Sequence, residues 1–320
     1  MEPDPSGNMR VPSVPDTAPD TAPATPAATL AASAAATLAA TLAATLEIVT
    51  ARVAASLSPV VVSVPHAGLE VPPADAPLLA LAGRELQRDA DLYVDRLVTE
   101  VPSLGVPVLR CRVSRYVLDV NRAPDDVDRE VCPDCARPAR TSPRGLCWRL
   151  TTENRPVLVR PLTRLEVASR IERIHTPYHA ALAQLLEERR QQFGYAVLLD
   201  MHSMPSLGRA GHADSGTRRA DVVPGDARGA SCAPALSRAV AAHFQDAGYR
   251  VRPNDPYMGG FVTRHHGRPT HGVHAIQIEL NRDLYMDEGA LAYDEPRANR
   301  LIPHILRLVE RVRSLNLRAG

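Results

Sequence analysis

Two histidines and a glutamate are the residues in this sequence best placed to do chemistry. His66 lies in Ser63-Val-Pro-His-Ala-Gly68 and His202 in Leu199-Asp-Met-His-Ser203, each just past an apolar run that reads as a strand. A histidine on a turn at a strand end faces a cleft more readily than a core. Two such imidazoles can converge as zinc ligands from distant parts of a chain, with a carboxylate completing the set. Asp91 is our choice for that carboxylate; Asp89 and Glu70 compete, and the sequence does not exclude them. Asp200, two residues before His202, shares its strand face and can support a ligand imidazole. The bland alternative is two satisfied structural histidines. Glu279, in Ile276-Gln-Ile-Glu-Leu-Asn-Arg282, is a carboxylate inside an otherwise apolar strand. Such a group is costly to bury without a task or a partner. In a zinc hydrolase the task is general base; the alternative is an ion pair with arginine.

Arginines offer a second function. Arg115 and Arg122 flank Tyr116-Val-Leu-Asp-Val-Asn121, Arg282 follows Asn281, and Arg264 follows the Gly259-Gly260 turn. Guanidinium groups near a cleft suit carboxylates. Any single arginine is more readily a surface residue, but Arg122 and Arg282 end Asn-Arg pairs at expected strand ends. Cys132-Pro-Asp-Cys135, with Cys147 downstream, lacks an evident fourth zinc ligand and the flanking strand and helix of a redox pair. It reads as an incidental or weakly metal-binding loop. His175 and His179 have i, i+4 spacing, but Pro177 interrupts that turn, so they read as packing or cleft-edge residues.

Composition excludes several classes. The 37 basic residues nearly cancel 36 acidic ones, for a net charge of +1, and all the basic residues are arginine. Without lysine there is no P-loop lysine, Schiff-base or pyridoxal anchor, or Ser-x-x-Lys hydrolase. The balanced charge argues against a nucleic-acid partner. Zincin, nucleophile-elbow and dinucleotide motifs are absent too. No apolar run of membrane-spanning length and no secretory leader is evident. The cysteine count, 5, is odd and does not suggest a disulfide framework. These features imply a cytoplasmic protein with no membrane partner. Oligomeric state has no signal in the sequence.

The elements that must position these residues follow from periodicity. Residues 1–46 form a low-complexity tail: Pro-, Asp-, Thr- and Ala-rich to about residue 28, then a Thr-Leu-Ala-Ala repeat. Leu30, Leu38, Leu42 and Leu46 make one stripe of an Ala-rich helix, which either docks weakly on the domain or a partner or is unstructured alone. Residues 47–320 form a single catalytic domain, packed from near Leu57. Strands are expected at Val60–Val64, Val106–Val113, Tyr116–Val120, Ala196–Leu199 and Val273–Leu280. Helices are expected at Arg88–Val101, Leu165–Gln192 with an interruption near Pro177, Ala233–Ala247 and Ala298–Leu315. Strands alternating with amphipathic helices imply an α/β fold with a mostly parallel, covered sheet. Ligands collect at the carboxyl ends of such strands, where His66, Asn121, His202 and Asn281 are expected.

Taken together, eight segments resemble the N-formylglutamate amidohydrolase (deformylase) family. They are Ser63–Gly68, Asp91–Leu97, Ser114–Arg122, Pro177–His179, Leu199–Pro205, Gly225–Cys232, Asn254–Phe261 and His274–Asp287, in the family's order. The resemblance implies a three-layer α/β/α fold with a mixed sheet, like the zinc carboxypeptidases. It implies one Zn²⁺ held by His66, Asp91 and His202, with Glu279 as general base toward metal-activated water. The implied partner is a small N-acyl amino acid, N-formyl-L-glutamate. Its two carboxylates would fall to Arg115, Arg122, Arg264 and Arg282, with Asn121 and Asn281 near the amide.

Three departures bear on specificity. The head before residue 47 lies outside the family pattern, and Cys132–Pro143 looks like an insertion. Asp221-Val-Val-Pro224 lacks the family's aromatic after the aspartate and is expected near the substrate pocket. Two other readings are a carboxypeptidase-like metallopeptidase and a catalytically silent binding protein on the same scaffold.

Overall fold

The computed structural model describes residue 1 and residues 45–50, 58–135, 142–209 and 214–318. The chain divides into two units, residues 1–39 and residues 40–320; apart from Met1, everything described here belongs to the second. The expected Ala-rich helix and most of the tail lie outside the described residues.

Six strands form the central sheet: β1 (Leu46–Val49), β2 (Val60–Val64), β3 (Val108–Cys111), β4 (Ala196–Met204), β5 (Val222–Gly225) and β6 (Val273–Asn281). Their order is β1-β3-β2-β4-β6-β5. The four inner strands are parallel, and both edges are antiparallel. Alternate residues of the inner strands feed two cores. Val60, Val62, Leu199 and Ile278 pack with Leu236, Val240, Leu301 and Leu308 on one face. Val61, Leu109, Leu198 and Ala275 pack with Tyr178, Leu182 and Leu186 on the other. Both faces are therefore covered by helices, which is why these strands read as continuous apolar runs. The chain is thus a mixed α/β domain with a mostly parallel sheet. Among the described residues no helix is long and apolar enough to cross a membrane.

Three expectations need correction, and one strand was not expected. Leu46 begins a strand, pairing with Cys111, rather than ending a helical stripe. Tyr116–Val120 is a series of turns. The Asp119 carboxylate accepts the amide of Asn121 at 2.9 Å and bends the chain there, while apolar neighbours on all sides imitate a buried strand. Arg88–Val101 keeps only the helix Val94–Leu97, because the Asp91 amide bonds to His66 O at 2.9 Å and Tyr93 adopts a left-handed backbone. Finally, Val222–Gly225 is a strand despite Pro224, which an edge position tolerates.

The long helix also differs in detail. Arg164–Arg170 passes through one wide π-turn, Ile171–His175, into Thr176–Phe193. The π-turn lets Pro177 continue the helix despite its missing N–H. The remaining long helices are Pro234–Asp246 and Glu295–Arg313.

Candidate active site

β4 runs past its apolar half through Asp200-Met-His-Ser-Met204, paired to β6 as far as Asn281. His202 therefore lies inside a strand rather than beyond its end. Asp200 and His202 share a face, and Glu279 is the register partner of His202 on β6. His66 follows β2 through Pro65. Its carbonyl accepts the Asp91 amide, which ties the third residue to the first.

Side chains complete the convergence. Asp91 Oδ2 lies 3.0 Å from His202 Nδ1 and 3.3 Å from His66 Nδ1. One ligand atom from each of His66, Asp91 and His202 lies within 4.8 Å of the others, and all three residues are buried. The distal nitrogens are held by carboxylates: His66 Nε2 by Asp119 at 2.7 Å and His202 Nε2 by Asp200 at 3.1 Å. Asp200 is itself fixed by Ser63 Oγ at 2.5 Å. His66 Nδ1 is buried without a hydrogen-bond partner. Two imidazoles whose far nitrogens are held by carboxylates, plus one inward carboxylate, form the donor set of a zinc-type site. These residues fit a divalent cation.

Electrostatics follow from burial and charge. Burial raises the Asp91 carboxyl, but the His202 hydrogen bond and the charge of His66 and His202 outweigh it and hold it well below the usual range. For His202, burial favours the neutral form; Asp200's charge and hydrogen bond override it, lifting the imidazole well above its usual value. Glu279 is compensated only in part. Burial pushes it up to about 7, against the opposing charge of His202. Its Oε1 accepts from Gln277 Nε2 at 2.8 Å.

A cleft of about 300 Å³ opens over these groups, lined by His66, Asp91, His202, Glu279 and Asn121 among others. Arg115, Arg122 and Arg282 also line it, whereas Arg264 and Asn281 do not. Arg264 borders a separate cavity with Arg228 and Met258. Asn281 turns inward, donating to Ala220 O and accepting from the Asp283 amide, both at 3.1 Å. Asp221-Val-Val-Pro224 is likewise off the cleft; Asp221 pairs with Arg250 on the outside.

The competing carboxylates are engaged elsewhere. Asp89 accepts from Tyr116, Thr152 and Arg209, and Glu70 pairs with Arg112. His179 Nε2 meets Val120 O at 2.8 Å and His175 Nε2 meets Arg122 O at 3.0 Å, so both brace the turn that carries Asp119. Cys132 and Cys135 are joined by a disulfide rather than offered to a metal, and Cys147 is buried and free. Sequence reasoning missed Asp119. Its position before Val-Asn-Arg was visible, but the turn that aims it at His66 was not.

The chain is similar to proteins of one known family. The profile of the N-formylglutamate amidohydrolase family matches residues 58–286. The N-formylglutamate deformylase of Pseudomonas aeruginosa is 35% identical over 236 residues, covering 72% of this chain and 84% of that protein. That of Pseudomonas putida is 34% identical over 233 residues, covering 72% and 82%. The crystal structure of N-formylglutamate amidohydrolase from Ralstonia eutropha JMP134 superposes with a TM-score of 0.75 at 32% identity, covering 84% of this chain and 97% of that one. The chain therefore belongs to the N-formylglutamate amidohydrolase family.

Proposed function

We propose that this amidohydrolase is a zinc-dependent deformylase. It cleaves the formyl amide of N-formyl-L-glutamate, or of a close N-acyl acidic amino acid, to formate and the free amino acid. One observation carries the reading: Glu279 stands across the strand pair from His202, beside three converging ligand atoms. The names of the Pseudomonas and Ralstonia relatives support the substrate. A ligand set at the carboxyl ends of parallel strands supports a scaffold of the zinc-carboxypeptidase kind.

His66, Asp91 and His202 hold the cation. Zinc bound there supplies a Lewis acid for the formyl oxygen and lowers the pKa of water in the cleft. Glu279 takes a proton from the attacking water and returns it to the amide nitrogen as the C–N bond breaks. A carboxyl that burial raises above its usual range suits both halves of that transfer. Asn121, its Oδ1 fixed by the Val262 amide at 2.8 Å, orients the substrate amide. Arg122, with 41% of its side chain exposed, takes a carboxylate.

The deciding experiment is formate release across N-formylglutamate, N-formylaspartate and formyl amides of neutral amino acids, with N-acetylglutamate and a peptide C-terminus as controls. N-formylglutamate is expected to have the highest kcat/KM. Hydrolysis of the peptide without formate release would replace this reading with a peptidase.

A further inference from the structure

Arg115, Arg122, Arg144, Arg209 and Arg282 all line the cleft, but not all are available to substrate. Arg115 donates to Asp119 Oδ2 at 2.8 Å and Asp89 O at 3.2 Å, and lies over the Trp148 ring. Arg209 pairs with Asp89 and Thr152. Arg282 is buried and donates to Ala90 O at 2.7 Å and Ser203 Oγ at 3.2 Å. Two guanidinium groups remain. Arg122 reaches only the edge of Asp119, at 4.0 Å. Arg144 has a buried Nε with no hydrogen-bond partner.

Arg144 is mounted firmly. It forms a bridge with Trp148, and Pro143 O accepts the Arg149 and Leu150 amides at 2.8 and 3.2 Å. The next residue, Gly145, passes so close to Asp126 O that a Cβ would sit 2.2 Å from it. Leu146 O then accepts the Asp119 amide at 2.8 Å. The turn carrying Arg144 is thus anchored to the same Asp119 that holds His66. A buried Nε–H without an acceptor is costly, and a carboxylate is the partner that matches the planar fork of a guanidinium.

We propose that Arg144 is the specificity-determining residue for the substrate's side-chain carboxylate, with Arg122 taking the α-carboxylate. Arg122 adjoins Asn121, whose Nδ2 lies 3.4 Å from His202 Nε2, so it serves the reacting end. Arg144, on a separate turn, serves the distal end. Two carboxylates then meet two uncommitted guanidinium groups. The assignment rests on the deformylase reading and adds why an acidic amino acid is preferred.

The test compares the wild-type enzyme with Arg144→Ala and Arg144→Gln on N-formylglutamate and its neutral isostere N-formylglutamine. kcat/KM for N-formylglutamate should fall about 10- to 100-fold, chiefly through KM, the range expected for charged hydrogen bonds. That for N-formylglutamine should change by less than about threefold, within the scatter of a weak neutral contact. An equal loss on both substrates, or no loss, overturns the assignment. Binding of glutarate and butyrate is measured in parallel, independently of turnover. Wild-type protein should prefer glutarate, and Arg144→Ala should abolish that preference. A wild type that prefers glutarate yet releases no formate would sink the deformylase reading and keep Arg144 as a carboxylate site. A wild type that binds both alike overturns the Arg144 assignment whatever it hydrolyses.

Discussion

Asp119 Oδ1 lies 2.7 Å from His66 Nε2, and the other oxygen of the same carboxylate accepts from Arg115 at 2.8 Å and Trp148 at 3.1 Å. If Nε2 donates to Asp119, Nδ1 keeps its lone pair and points at Asp91 and His202. Asp119→Asn keeps the shape and removes the charge. It is expected to weaken metal affinity by about 10- to 100-fold, read by competition with a chelator. Unchanged affinity would remove Asp119 from the centre.

Glu279→Gln separates chemistry from binding. The amide preserves volume and can still bond to Gln277 but takes no proton. Turnover is expected to fall about 10²- to 10⁴-fold, the usual worth of a positioned base. Metal content by elemental analysis should stay at the wild-type level, because Glu279 is not among the three converging residues. Full activity would refute its role as base.

His66, His202 and Glu279, which meet at one cleft, were legible because each departs from its surroundings: an imidazole behind an apolar run, a carboxylate inside one. Their supports were less so. Asp119 sits in a segment whose buried apolar residues imitate a strand, and only the turn closed by its own side chain turns it toward His66. Arg282 and Arg264 looked equivalent as arginines beside motif residues. Their difference is burial, which depends on how the segment Arg88–Asp91 wraps over β6 and on nothing local to either residue. Arg144 carried no motif, so only the fold brings it to the cleft.

The pH profile tests the environment of Glu279. Burial raises its carboxyl to about 7, and the base must be ionised to work. Activity is therefore lost as pH falls through its pKa. A divalent cation nearby favours the ionised form and moves that point downward. The acid limb of kcat/KM is expected below about 7 for the metal-loaded enzyme, in keeping with that shift. A limb above 7 would contradict this account.

Acid should also unfold the protein through a second group. His179 Nε2 donates to Val120 O at 2.8 Å, so in the neutral ring Nδ1 is the acceptor for His266 Nε2, 3.0 Å away, and a proton on that Nδ1 removes the acceptor. Burial and neighbouring histidines lower His179 to about 2 and His266 to about 3. The unfolded chain takes up these protons near its usual value of about 6.5, while the folded chain does not. Stability is then full above that pH and falls below it, by up to about 1.4 kcal/mol per pH unit for each histidine. Urea midpoints between pH 8 and pH 5 should show the decline, and His266→Gln should flatten it. A variant as pH-sensitive as wild type would assign the effect elsewhere.

Arg282 is the residue whose role the structure changes most. Its position after Glu279-Leu-Asn281 suggested a carboxylate clamp, yet its guanidinium bonds to Arg88 O, Ala90 O and Ser203 Oγ and lies 3.5 Å from Asp91 Oδ1. It fastens the turn that carries Asp91 to the end of β6. Arg282→Ala strands those acceptors in a buried site. A loss of about 3–5 kcal/mol is the usual scale for breaking a buried charge pair on one side. The variant should therefore melt earlier and bind metal more weakly, and N-formylglutamate and N-formylglutamine should suffer alike. A selective rise in KM for N-formylglutamate, with wild-type melting temperature and metal content, would instead return Arg282 to the substrate.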